Sequence, residues 1–189
     1  MPIDKENPSP LLTLFKTFLS VALHTLLHHR GLYPRTTFLT VRAFNLPVPQ
    51  SRHPVVCSWI RSATDAVAAQ LSGIFPANKD RDRQRHNIYG PPPNVPTPTT
   101  LARVALLVVH HPRSRAVLER WMFDVQSFPG FWPAEDPDEI DMADAIEALR
   151  GALRRIAYAA DRLEALPEGC TFTVAIELQD DAPAPTTVR

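Results

Sequence analysis

The chain has 189 residues, 44% of them hydrophobic, and its twenty Lys and Arg balance twenty Asp and Glu. That length allows one domain with tails and enough apolar side chains to bury a core, while zero net charge excludes a global field that would draw nucleic acid. Cys57 and Cys170 stand far apart with no CxxC, which excludes a disulfide framework and a four-cysteine zinc site and fits a reducing compartment.

Residues 1–8 are expected to be disordered, with Ser9 placed to cap a helix that holds Pro10 in its first turn. From Leu11 to His29, apolar residues cover nearly the whole circumference, the pattern of a central helix sandwiched between layers. The run also has the length of a signal or membrane segment. However, Asp4-Lys5-Glu6 before it is not positively charged, Lys16 and His24 interrupt it, and no small-x-small cleavage site follows. The reading is a buried helix in a soluble, non-secreted chain with no membrane partner. Gly31 and Pro34 end it, and Thr37 to Phe44, rich in Thr, Val and Phe, reads as a strand.

Pro47, Pro49 and Pro54 read as a rigid connection to a second helix, Pro54 to Leu71, whose stripe is Val56, Ile60, Ala63, Val67 and Leu71. Residues 78–100 combine a charged run, Lys79 to Arg85, with Pro91-Pro92-Pro93 and further prolines. Such a composition cannot pack a core and predicts a mobile insertion. Ala102 to His110 is expected to be a strand covered on both faces, because Val104 to Val109 is continuously apolar. His111-Pro112-Arg113-Ser114 turns it into a partner strand, Leu118 to Ser127.

A third helix is expected to open at Asp136-Pro137-Asp138-Glu139, with a capping Asp, Pro at the first helical position and Glu at the third. Its stripe is Met142, Ile146, Leu149, Leu153, Ile156, Ala160 and Leu163, and Pro167 and Gly169 stop the chain from continuing as helix. In the last β-prone run, Phe172, Val174 and Ile176 alternate with Thr171, Thr173 and Ala175. A strand this late in the chain can lie at a sheet edge, where free N–H and C=O groups are a template for another peptide. Residues 179–189 are acidic and Pro-rich and are expected to be disordered. With no series of strand-helix-strand crossovers, the expected architecture is α+β, three helices packed on a largely antiparallel sheet.

His24 and His28 stand four apart on one helical face, the ligand spacing of zinc hydrolases, but Thr25 occupies the place of the catalytic Glu and no third ligand is fixed. They read as structural histidines, with a His-based zinc hydrolase as the alternative of a different class. Asp136, Asp138 and Asp141 read as a helix start that complements the dipole. None of the six glycines sits in a phosphate-loop context and no Ser carries a nucleophile elbow, so no enzyme, cofactor or metal is expected. Arg150, Arg154 and Arg155, and Arg81, Arg83 and Arg85, form small basic patches without interleaved aromatics, which argues against direct nucleic-acid binding.

Four blocks then recur in one order: Leu32-Tyr33-Pro34, the run from Asn45 to Pro54, Trp59-Ile60, and Pro167-Glu168-Gly169-Cys170-Thr171-Phe172-Thr173-Val174. They resemble the HORMA-domain family, in particular the branch of accessory subunits of translesion DNA polymerase zeta, related to the spindle-checkpoint mitotic-arrest protein, and the resemblance covers roughly residues 11–178. The resemblance implies a HORMA domain over residues 9–178 and a non-catalytic adaptor in the nucleus, with the cytoplasm as a further location. It would capture a partner peptide as an added β-strand in DNA damage tolerance. The implied partner is a Pro-containing segment of the catalytic subunit of polymerase zeta.

On that resemblance, Trp59 stands where the family places a Tyr that packs on the peptide, and Thr171, Phe172, Thr173, Val174, Ala175 and Ile176 supply the docking edge. Arg150 matches an Arg used when two HORMA domains dimerise, while Gly31 stands where animal members carry an acidic residue of that interface. In the family the chain continues past the Cys-Thr-Phe strand into a belt that closes over the peptide and contacts a scaffold polymerase. Here the sequence ends at Arg189, so the alternatives are a shortened chain or a lost closure; with the belt missing, rapid loss of peptide and a doubtful scaffold-polymerase contact are expected. The alternative is another HORMA adaptor, of spindle-checkpoint or meiotic-axis type, against which His53-Pro54 and the Gly-Cys-Thr-Phe block argue.

Overall fold

Helix α1 (Pro10–His29) is the hub of the computed structural model, which describes residues 10–71, 101–124 and 141–178. Around it stand α2 (Pro54–Leu71), α3 (Met142–Arg162), a hairpin of β1 (Phe38–Ala43) and β2 (Leu46–Ser51), and a sheet of β3 (Leu101–His110), β4 (Val117–Asp124) and β5 (Thr171–Leu178). α1 packs against α2, α3, β2 and β3, which is why its sequence is apolar all round. Phe15, Phe18, Ala22, Leu26 and Leu27 have no exposed surface. Phe123 of β4 completes an aromatic cluster with Phe15 and Phe18, its ring centroid 5.4 and 5.0 Å from theirs. By length and composition α1 could cross a membrane, yet 61% of its apolar window is buried inside this fold.

α1 stops where the sequence places Gly31. Its φ of +65° is a conformation glycine adopts without strain. The amide of Gly31 donates to His28 O at 3.2 Å and that of Leu32 to Leu27 O at 3.1 Å, a Schellman closure that satisfies two terminal carbonyls. A short 3-10 turn, Arg35–Thr37, leads into β1.

The stretch expected to be a rigid connection is instead a strand. β2 pairs antiparallel with β1, Val41 opposite Val48 and Phe38 opposite Ser51. Phe44 and Asn45, at φ +49° and +56°, form the two-residue turn, both in the left-handed conformation that matches strand twist. Pro47 and Pro49 fit because they lie two apart on a strand whose single strand partner among the described residues is β1, the edge setting in which a missing N–H is tolerated. Two prolines in six residues read as breakers; alternate spacing made them strand-compatible.

In the second sheet the order is β4-β3-β5, antiparallel throughout. The continuously apolar β3 takes the middle. β4 begins at Val117 and is described as far as Asp124. The architecture is α+β, as expected, with the antiparallel strands divided between a hairpin and a three-stranded sheet.

α3 begins at Met142, and Asp141 caps it by accepting from Ala143 N at 2.7 Å. Asp141 is therefore a capping residue, and the expected opening at Asp136-Pro137 lies outside the described residues. So do the Ser9 cap, the insertion over 78–100 and the tail over 179–189. Along α3, Ala145, Leu149, Leu153 and Ala160 are buried, whereas Met142 and Leu163, expected to end the stripe, are 37% and 48% exposed.

Candidate peptide-docking edge

β5 follows a turn in which Gly169 takes φ +77°. Its residues alternate as their types require. Phe172, Val174 and Ile176 are half-buried and pack on the core, while Thr171, Thr173, Ala175 and Glu177 are exposed. Along one side β5 pairs with β3, Phe172 opposite Val109 and Ile176 opposite Val104. Among the described residues no strand pairs with its other side, so a row of backbone donors and acceptors faces outward. β4 is the opposite outer strand and is likewise paired on one side only among those residues.

What distinguishes the β5 side is aromatic. Trp59 on α2 meets Phe172 edge-to-face, ring centroids 5.1 Å apart at 90°, and Tyr33 meets the same ring at 6.2 Å and 77°. Trp59 remains 38% exposed, and Val55, one turn earlier on α2, is 69% exposed. An apolar ledge therefore runs beside the strand. Trp59 and Phe172, singled out from the sequence, are in contact. The six strand residues divide: Phe172, Val174 and Ile176 spend their side chains inward, leaving backbone and the outward Thr171, Thr173 and Ala175 to meet a ligand. Thr173 Oγ1 lies 3.3 Å from His110 Nε2, tying this outer face across to β3.

Sequence reasoning missed the element that braces the sheet. Arg30, at the end of α1, is 5% exposed. Its Nε donates to Glu119 Oε1 and Oε2 at 3.1 and 3.0 Å, and a terminal nitrogen of Arg30 also pairs with that carboxylate. The remaining donors reach Ala160 O at 2.9 Å, Leu163 O at 3.3 Å and Glu164 O at 2.6 Å. Trp121 Nε1 donates to Glu119 Oε2 at 3.0 Å. One guanidinium thus joins α1, β4 and the exit of α3, and a planar five-donor fork is the side chain suited to this. The available signal was a lone Arg beside a helix-ending Gly, which carries no partner information by itself.

The HORMA domain profile matches residues 12–188. The chain belongs to the HORMA-domain family. The DNA polymerase zeta processivity subunit of Schizosaccharomyces pombe is 25% identical over 177 residues, which cover 91% of this chain and 70% of that one. The mitotic spindle assembly checkpoint protein MAD2B of Danio rerio is 24% identical over 165 residues, covering 87% of this chain and 64% of that one. This HORMA chain therefore spans about two thirds of the length of these curated relatives. Among solved structures, a chain of the mitotic checkpoint complex superposes with a TM-score of 0.63 at 21% identity, over 94% of this chain and 79% of that one. C. elegans HTP-2 bound to the HIM-3 closure motif gives 0.57 at 16% identity, over 97% and 76%. At such identities the structures establish the shared HORMA fold.

Elsewhere in this HORMA domain, Arg150 lies on α3 in an ion pair with Glu147, one turn away, with 30% of its side chain exposed. His24 accepts from Ser51 N at Nδ1, 3.3 Å away, and burial lowers its pKa. His28 packs edge-on against Phe38 at 5.1 Å, and burial, then the neighbouring His29, lowers its pKa. Both rings fasten α1 to the hairpin, and among the described residues no group of three metal-ligating side chains forms. His29 Nδ1 lies 2.8 Å from Asp161 Oδ1, and this hydrogen bond holds the Asp161 carboxyl below its ordinary pKa.

Proposed function

We propose that this HORMA domain is a non-catalytic adaptor that captures a partner peptide as a strand added along β5. We further propose that it is the accessory subunit of translesion DNA polymerase zeta, working in the nucleus in DNA damage tolerance. The observation that carries the reading is the outer side of β5, free of strand partners among the described residues, beside the exposed ledge of Val55 and Trp59. An added strand gains affinity from main-chain hydrogen bonds, and the ledge selects among side chains. A proline ring suits an indole face, and Trp59 offers a larger apolar surface than the family's Tyr without its hydroxyl. The similarity to a polymerase zeta processivity subunit supports the choice of partner, a Pro-containing segment of the catalytic subunit. Arg150 is proposed for contact between two HORMA domains, in exchange for its pairing with Glu147.

The test is binding of that catalytic-subunit segment to the purified protein, with its proline-to-alanine version alongside. Saturable binding that weakens on removal of the proline supports the assignment. No binding of the segment, with capture of a mitotic-checkpoint ligand instead, would move the protein to the checkpoint branch of the family.

A further inference from the structure

An open cleft lies on a different part of the domain, between α1, α2 and the β1–β2 hairpin. The charge of the chain is not evenly spread. Between Pro10 and Thr64 there is no Asp or Glu, while six Lys and Arg occur there. Arg30 is committed to Glu119, and Arg35 lies 3.7 Å from Asp161. Of the others, Lys16 of α1, Arg42 of β1 and Arg61 of α2 line one open cleft of about 560 Å³, within the range of ligand pockets. Among the described residues no carboxylate lines this cleft. Lys16 pairs with Asp65, and among the described residues Arg42 and Arg61 have no ion-pair partner.

Two unpartnered guanidinium groups on separate elements suit a dianion better than a single carboxylate, because each planar fork can take two oxygens of one phosphate. Ser20 lines the same cleft and its hydroxyl can supply a neutral donor, whereas the Thr17 hydroxyl donates to Thr13 O at 2.9 Å. Val21, Val48 and Pro49 add an apolar strip. A bare inorganic ion cannot use that strip, and the cleft is far larger than a phosphate group. A chain segment carrying the phosphate uses both parts.

We propose that this cleft binds a phosphate group carried on a serine or threonine of a partner peptide, independently of the β5 edge. Such a site would let phosphorylation of a partner add to its hold on the adaptor by providing a second point of attachment.

The experiment is fluorescence anisotropy of the full chain with labelled five-residue peptides, a fixed central phosphoserine flanked by randomised positions, against the same set with serine. The phosphoserine set should bind at least about tenfold more tightly, the factor expected for one charge-assisted hydrogen bond. Arg42→Glu with Arg61→Glu should abolish that difference. Arg154→Glu with Arg155→Glu, which changes net charge equally on exposed positions of α3, should preserve it, and so should Trp59→Ala. Failure of the β5 edge would therefore show as a separate result. Equal binding of the two peptide sets, or survival of the difference in the Arg42/Arg61 variant, overturns the site. Displacement of the phosphopeptide by sodium phosphate at the peptide's own concentration would overturn the peptide source, because a free ion would then suffice.

Discussion

Trp59 and Phe172, 113 positions apart in the numbering, meet edge-to-face with ring centroids 5.1 Å apart. The contact locks the second helix to the outer strand of the sheet, so the apolar ledge and the β5 edge hold a fixed relation. A pair of this kind contributes about 1 kcal/mol beyond its buried area. In a double-mutant cycle, Trp59→Ala and Phe172→Ala should show coupling of about that size in urea unfolding. Trp59→Ala alone should weaken peptide capture by about tenfold or more, as truncation of an aromatic anchor does, and should cost at least the ~1 kcal/mol of the lost ring contact in stability, although the residue is 38% exposed.

The Arg30–Glu119 pair predicts a larger structural effect. Glu119→Ala leaves a guanidinium with 3% side-chain exposure facing no carboxylate, and breaking a buried pair from one side costs about 3–5 kcal/mol. Arg30→Met with Glu119→Leu, which removes both charges, should cost clearly less than either single change. Urea midpoints of the four proteins decide it; equal losses in single and double variants would mean that the charge pairing is not what matters.

The histidines predict a pH dependence. His24 and His28 have pKa values lowered from 6.5 by burial in the folded protein. The unfolded chain therefore binds protons first as pH falls. Stability from these groups is complete above 6.5 and declines as pH drops through the folded-state values. Thermal midpoints should fall between pH 7.5 and 5.5, and His24→Asn, which keeps an acceptor for Ser51 N, should flatten the decline.

Much of this was legible in the chain. An apolar run covering a helix on every side can only be central, and α1 is. Alternation in Thr171 to Ile176 gave both the strand and its inward face, and the family resemblance supplied Trp59. The hairpin was hidden because Pro47 and Pro49 look like breakers when their alternation is ignored. Asp141 was hidden as a cap by the stronger Asp-Pro-x-Glu signal just before it. Arg30 could not be read at all, since its partners Glu119, Ala160, Leu163 and Glu164 are distant in sequence and are joined only by tertiary packing.

The hairpin turn supplies another expectation. Asn45 sits at φ +56° and is exposed, a conformation that costs a β-branched residue about 1–2 kcal/mol. Asn45→Val should lose about that much stability, and Asn45→Gly should be neutral or slightly stabilising. Chemical denaturation of the two variants compares them directly.

Peptide capture along β5 is read most directly by backbone hydrogen exchange. With the Pro-containing segment of the polymerase zeta catalytic subunit added, amides of Thr171–Leu178 should exchange more slowly while those of Val117–Asp124 stay unchanged. Protection confined to Val117–Asp124, or none on either strand at saturating peptide, would contradict it.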